Sequence, residues 1–324
     1  MRDVARRAGV STMTVSRVLN DPTAVTPETR RRVLRAVQEL GYVRNAVARS
    51  LARGRTDMIA LIVSDIENPF FTTLSRGVED RAQRYGYTLV VGNSDEDAAK
   101  ERKYLDVLYA RRIDGVILSA VGDAHVELLQ QQGIPVVLVD RLIPGAEVDT
   151  VIHDTYDGGR QIVAHLLEQG YRDIMFIGGH PRNSTMQQRL AGCRDALQEA
   201  GLSLSVRLGR LDVSSGQEIV ASVLAEGTLP QALIAANIPV AVGAMVDLRD
   251  HGKAVPQDVA LACFGDLELG SQLDPFLTAV RQPAYELGEV AMEMLHARLN
   301  GSTDRPRHEV LPVELIVRRS TRRI

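Results

Sequence analysis

The chain has no tryptophan, two cysteines, three lysines and only 4% aromatic residues among its 324. Each shortage excludes something. Cys193 and Cys263 show neither zinc-ligand spacing nor the framework of a disulfide-stapled secreted domain. No apolar run reaches the roughly 18 residues needed to cross a bilayer. Charge begins at Arg2, so no secretory leader is visible, and a cytoplasmic protein without a membrane partner is expected. Gly-x-Ser-x-Gly, P-loop, Gly-x-Gly-x-x-Gly and His-Glu-x-x-His patterns are all missing. Asp65 and Glu67 would make a carboxylate pair after a strand, but no base accompanies them. Enzyme chemistry is therefore the last of the readings, and no metal or cofactor is implied. The scarce lysines (Lys100, Lys103 and Lys253) read as genome composition.

What is present is unevenly placed. Twelve arginines against five acids give residues 1–57 a formal charge of +7, whereas the remainder, with 26 basic and 36 acidic residues, carries −10. A basic head on an acidic body fits phosphate binding with counterion release; a solvated basic face is the alternative from charge alone. The length suits two or three domains at about 150 residues each, and 45% hydrophobic content supports a sizeable core.

The head has the pattern of a helix-turn-helix. Val4, Ala5 and Ala8 share a helical face, Gly9 permits a tight turn, and Ser11 can cap the next helix. Val15, Val18 and Leu19 give that helix a buried stripe. Its exposed start carries Thr12, Met13 and Arg17, the residue types that read base edges; Arg17 would fork onto guanine. Ser11, Thr14, Ser16, Asn20, Tyr42 and Asn45 suit phosphate positioning. Thr26-Pro27-Glu28 opens a third helix with Val33, Leu34, Val37 and Leu40 as its packed face, ended by Gly41.

The ordered set Asp3-Val-Ala, Gly9-Val-Ser, Thr14-Val-Ser-Arg-Val-Leu-Asn20, Leu40-Gly-Tyr42 and Asn45-Ala-Val-Ala-Arg-Ser-Leu51 resembles the LacI/GalR family of bacterial repressors. The resemblance implies a hinge helix over about 45–53 that enters the minor groove, with Ala48 allowing close approach, Arg49 beside it and Leu51 wedging a base step. A satellite core position is the plainer reading of Leu51. Two departures stand out. Met1 takes the place of the usual apolar residue with no capping Thr before Asp3, so helix one is weakly capped or the native start lies upstream. Arg44 replaces a usual proline.

Beyond Gly54-Arg-Thr-Asp57, apolar strands alternate with helical patterns. Strand-like runs recur at Met58–Val63, Thr88–Val91, Gly115–Leu118, Pro135–Val139, Ile174–Ile177, Ala232–Ala235 and Val259–Phe264. Helical patterns include Phe71–Tyr85, Asp157–Gln169, Gln187–Glu199 and Val240–His251. Repeated βαβ units imply an α/β fold of doubly wound parallel sheets. The resemblance implies a periplasmic-binding-protein-like core of two lobes, residues 58–324, behind an all-α helix-turn-helix head, residues 1–57. Lobe one is expected over about 58–159 and 279–312, and lobe two over about 160–278 and 313–324.

Ligands of such sheets sit at the carboxyl ends of strands. On the resemblance, effector-binding candidates are Phe70, Phe71, His153, Asp154, Arg189, Asn237 and Asp266. Phe71 also reads as ordinary core and Arg189 as a surface helix arginine. His153 and Gly265 stand where relatives carry aspartate, which hints at an anionic effector such as a sugar acid. The expected protein is a homodimer on a palindromic operator, controlled by a sugar, sugar acid or related metabolite between the lobes. No leucine heptad follows Arg318, so a dimer is favoured over a tetramer. A sensor whose head binds protein or RNA is the second reading. The sequence leaves the sign of control, inducer or corepressor, open.

Overall fold

Met1–Thr56 and Asp57–Ile324 are separate compact units. The structure, a computed structural model, describes residues 1–20, 25–42, 54–266 and 274–323.

The head holds α1 (Arg2–Ala8), α2 (Thr12–Asn20) and α3 (Pro27–Glu39). Val4, Ala5, Ala8, Val15, Val18, Val33 and Ala36 form its core. Each fully buried valine there contributes about 1.5–3 kcal/mol. Capping sets the boundaries. Gly9 adopts φ 64° and closes α1, and Ser11 Oγ accepts the Thr14 amide at 3.1 Å. Thr26 Oγ1 accepts the Thr29 amide at 3.4 Å, with Pro27 in the first turn of α3. Met1 gives α1 no side-chain cap. Arg32 of α3 reaches back, its Nε donating to Ala8 O at 3.1 Å and a terminal nitrogen to Gly9 O at 3.0 Å. A cation thereby meets the negative end of α1. Leu34 and Leu40, expected in the packed face of α3, are 44% and 46% exposed. The buried stripe runs through Val33 and Ala36 instead, leaving Leu34 one position off it and Leu40 at the helix end.

In the second unit, β1 (Met58–Val63), β2 (Thr88–Asn93), β3 (Gly115–Leu118), β4 (Val136–Val139), β5 (Asp149–His153) and β11 (His308–Leu311) make one sheet, ordered β11-β5-β4-β3-β1-β2. The other contains β6 (Ile174–Gly179), β7 (Ser205–Gly209), β8 (Ala232–Ala235), β9 (Ala260–Phe264), β10 (Thr278–Arg281) and β12 (Glu314–Ile316), ordered β12-β10-β9-β8-β6-β7. Pairing is parallel throughout the described ladders except β10 with β12, where Ala279 faces Ile316. Central strands such as β1, β4 and β6 are buried almost end to end, which is why they read as continuous apolar runs.

Among the described residues, eight helices cover these sheets: α4 (Pro69–Arg84), α5 (Ala98–Ala110), α6 (Ala124–Gln131), α7 (Thr155–Glu168), α8 (Ser184–Glu199), α9 (Val213–Ala225), α10 (Ile238–Asp250) and α11 (Ala284–Leu299). Helix α4 packs on α11, α7 on α8 and α9 on α10. The first pair meets backbone to backbone: a Cβ on Gly77 would stand 2.0 Å from Tyr285 O, and one on Gly288 2.2 Å from Leu74 O. Gly159 and Gly192 do the same for α7 and α8, as Gly216 and Gly243 do for α9 and α10.

The chain crosses between lobes three times. The first crossing follows β5, at residue 154 and not near 160, because α7 belongs to the second lobe. The return comes at about 282 and not near 279, because β10 pairs with β9 before α11 packs on α4. The last lies between β11 and β12.

Candidate functional site

The head presents one polar face of α2. Burial of Val15 and Val18 turns Thr12, Met13 and Arg17 outward, and Met13 is 65% exposed. A flexible apolar side chain at that exposure gains nothing from folding. Ser11 and Thr14 are partly committed, since their hydroxyls bond each other at 2.9 Å while Ser11 caps the helix. Ser16 is half-buried. Tyr42 packs against the head core, its amide donating to Val37 O at 3.0 Å. The side chain of Asn20, and Asn45, Ala48, Arg49 and Leu51, lie outside the described residues.

Between the two lobes lies a cavity of about 300 Å³. Pro69, Phe70 and Thr72 at the start of α4 line it from lobe one. Ile238, Gly265, Asp266, Arg281 and Gln282 line it from the ends of β8, β9 and β10. These are carboxyl ends of strands, where open α/β sheets bind ligands. Asn68 starts α4 by accepting the Phe70 amide at 3.1 Å, which sets the Phe70 ring 5.5 Å from the ring of His153.

Behind Phe70 is a buried polar cluster. Arg189 is 8% exposed; Nε donates to Thr155 Oγ1 at 3.0 Å and a terminal nitrogen to Ala236 O at 2.6 Å. Its guanidinium lies 4.9 Å from the centroid of the Phe264 ring. Among the described residues none of its contacts is an ion pair, and burial pulls its pKa down to about 10. Asp140 is buried too, with no hydrogen bond to its carboxylate among the described residues; Arg141 Nε lies at 3.7 Å and His153 Nδ1 at 3.9 Å. Burial pushes this carboxyl up, against the pull of Arg141 and Arg189. His153 receives the Gln282 amide on Nε2 at 2.6 Å, while Nδ1 has no partner. Burial, helped by Arg189, drives its pKa down to about 3, so the ring is neutral. Among the described residues the cluster thus combines a cation without an ion pair, a carboxylate without a hydrogen bond and a neutral imidazole whose Nδ1–H has no acceptor. A buried polar atom without a partner is costly, so such a set is poised for a polar guest.

The structure brings Phe70, His153 and Arg189 together and sets other candidates aside. Phe71 is core, edge-on to Phe70 at 5.0 Å. Asp154 caps α7 by accepting the Asp157 amide at 2.9 Å. Asn237 caps α10 through Val240 N and donates to Leu211 O, both at 2.9 Å, so its amide is occupied within its own lobe. Asp266 does line the cavity, but Arg318 holds it through two contacts of 2.8 Å. Gly265 stands at φ 92°, a backbone that disfavours any side chain there. The acid that faces the cluster is Asp140. That residue and Gln282 escaped the sequence reading. Asp140 directly follows the run Val136–Val139, so the strand-end rule would have marked it. Gln282 follows a short strand that mixes Thr and Arg and gave no apolar signal.

Among the described residues, no helix is long and apolar enough to cross a membrane. Residues 1–45 match the bacterial regulatory proteins of the lacI family, and residues 163–321 match the periplasmic binding protein-like domain. The HTH-type transcriptional regulator RegA of Clostridium saccharobutylicum is 39% identical over 99% of this chain and 98% of its own. The ribose operon repressor of Halalkalibacterium halodurans is 37% identical over 99% and 97%. The lac repressor dimer bound to operator and an anti-inducer superposes with a TM-score of 0.87 at 28% identity, covering 98% of each chain. A transcriptional regulator CelR–cellobiose complex gives 0.74 at 32%, also covering 98% of each. The relatives are regulators and not enzymes, and their similarity runs from the helix-turn-helix head through both lobes. This chain is a DNA-binding transcriptional regulator and belongs to the LacI family.

Proposed function

We propose that the protein is a cytoplasmic homodimer that represses carbohydrate-metabolism genes from a palindromic operator, and that a neutral polyhydroxylated effector between its lobes sets operator affinity. One observation carries the effector reading: Arg189 and Asp140 lie buried in one cluster, the first without an ion pair and the second without a hydrogen bond. A hydroxyl group both donates and accepts, so a polyol satisfies a carboxylate and a guanidinium at once. A sugar acid would bring a second carboxyl beside Asp140, where burial already disfavours the charged form of the first. Phe70 offers an apolar face for a sugar ring. The relatives add support, since one is named for ribose and solved neighbours hold cellobiose and ribose.

On the DNA side, Arg17, Thr12 and Met13 read bases from the exposed face of α2. The dimer places two such helices roughly 34–36 Å apart. The lac repressor dimer on its operator supports that arrangement. Leu51 wedges the minor groove, and the effector acts by ordering or melting the hinge at about 45–53. The coupling is reciprocal and worth typically 1–3 kcal/mol.

The test is selection of bound duplexes from a random pool, repeated with a panel of neutral sugars and matched sugar acids. A palindrome lost with one neutral sugar supports a repressor with an inducer; one gained supports a corepressor. Absence of any enriched duplex refutes the repressor reading. Response to an acid alone refutes the neutral effector.

A further inference from the structure

We propose that the turn Asp140-Arg141-Leu142 is an interlobe latch, with Ser184 and Thr185 as the positioning residues that hold it shut. The inference deepens the effector reading and rests on it only for the purpose the latch serves. Three neighbouring residues engage both lobes.

Arg141, 4% exposed, staples lobe one. It donates to Ser64 Oγ at 3.2 Å after β1, to the Glu96 carboxylate after β2, and to Ala120 O at 3.4 Å after β3. It follows β4 itself, so one guanidinium ties the carboxyl ends of four adjacent strands. The geometry needs two bends that side-chain-bearing residues rarely adopt: Asp140 at φ 66° and Glu96 at φ 58°. Strained backbone of this kind persists only where surrounding contacts over-determine it.

The same turn is bonded to the other lobe through its backbone. Thr185 Oγ1 donates to Asp140 O at 2.6 Å, and Leu142 N donates to Ser184 Oγ at 2.7 Å. Both hydroxyls sit in the first turn of α8, which Asn183 starts by accepting the Met186 amide at 2.9 Å. One turn along, α8 carries Arg189 into the polar cluster. The Asp140 carboxylate points to that cluster from the opposite lobe. A ligand that engages Asp140 and Arg189 therefore joins the two elements that Ser184 and Thr185 already join. Lobe closure and ligand engagement share one seam, and opening the lobes must break both hydroxyl contacts.

The test needs neither operator nor effector. Full-length protein carries nitroxide labels at Gln83→Cys on α4 and Gln198→Cys on α8, both exposed and in different lobes. Cys193 and Cys263 are buried and resist labelling. Spin–spin distances are compared with and without Ser184→Ala/Thr185→Val, and with Thr185→Ser as the variant that keeps its hydroxyl. The expected result is a broadened distribution with a longer-distance population in the double variant, and a distribution like the parent's in Thr185→Ser. An unchanged distribution in the double variant overturns the latch. If the double variant does not fold, Ser184→Ala alone is measured against the same criterion. Because the readout is lobe distance, failure here is separable from failure to find an operator or a sugar.

Discussion

Replacing Arg189 by methionine separates binding from stability. The guanidinium is buried at a pKa of about 10, against an ordinary 12.5. At 1.36 kcal/mol per tenfold, the charged form carries a penalty on the order of 3 kcal/mol. Two hydrogen bonds from a charged donor, to Thr155 Oγ1 and Ala236 O, return roughly 1.5–3 kcal/mol each. The terms nearly cancel, and methionine fills most of the volume without the desolvation cost. The expected stability change is within about 2 kcal/mol, a shift in Tm of no more than roughly 8 °C for a body of this size. Burial lowers the folded pKa of this cation below its unfolded value. The penalty is then fully present below about pH 10 and relieved only as pH rises beyond it, so comparison near neutrality is free of a pH term. Operator binding should survive while the response to effector is lost, as measured by fluorescence anisotropy of a labelled operator with and without the sugar. A variant that responds normally refutes the ligand role. A loss of more than about 4 kcal/mol in urea unfolding would show that Arg189 is chiefly a structural residue.

Arg17→Ala should lower discrimination among operator variants by about 1–3 kcal/mol while affinity for random DNA falls far less; equal loss on both would remove Arg17 from base reading. Leu51→Ala should reduce operator bending in a phased-bend gel assay and leave sugar binding intact, and undiminished bending counts against the wedge. Asp149→Asn should cost about 3–5 kcal/mol, because Asp149 is gripped by Arg298 at 2.6 and 2.7 Å and by the Arg307 amide at 2.8 Å. Burial opposes ionisation there, but the Arg298 and Arg307 contacts outweigh it and hold the folded pKa low. That stabilisation is present above the unfolded value of about 3.9 and fades as pH falls through the folded one. Urea melts of parent and variant should therefore converge below about pH 4, and a constant gap down to lower pH would contradict the ion pair.

Much of the architecture was readable because central parallel strands are buried on both faces. Met58–Val63 and Ala232–Ala235 announce themselves as apolar runs. Strands β7, β11 and β12 did not, since each has exposed positions along it and β11 and β12 hold four residues or fewer. The head's helices followed from caps and spacing, yet a 3.6-residue period does not tell Leu34 from Ala36 when a short helix buries a narrow stripe. At the cleft, the family pattern named Phe70, His153 and Arg189, and these lie near one another in the structure. Asp154 and Asn237 show the limit: an acid or amide after a strand is equally a helix cap, and here the backbone amides claim it. Arg141 was invisible because its role joins loops far apart in sequence, Ser64, Glu96 and Ala120, which spacing along the chain does not record.

The glycine contacts between paired helices give the lobes a mechanical character. Where Gly77 meets Tyr285 O and Gly192 meets Tyr156 O, there is no side-chain cushion to compress. Backbone in direct contact leaves each helix pair little room to slide or compress. A methyl group added at any of these six positions would act as a shim, spreading a helix pair and throwing the two halves of the machine out of alignment at points remote from both sugar and DNA.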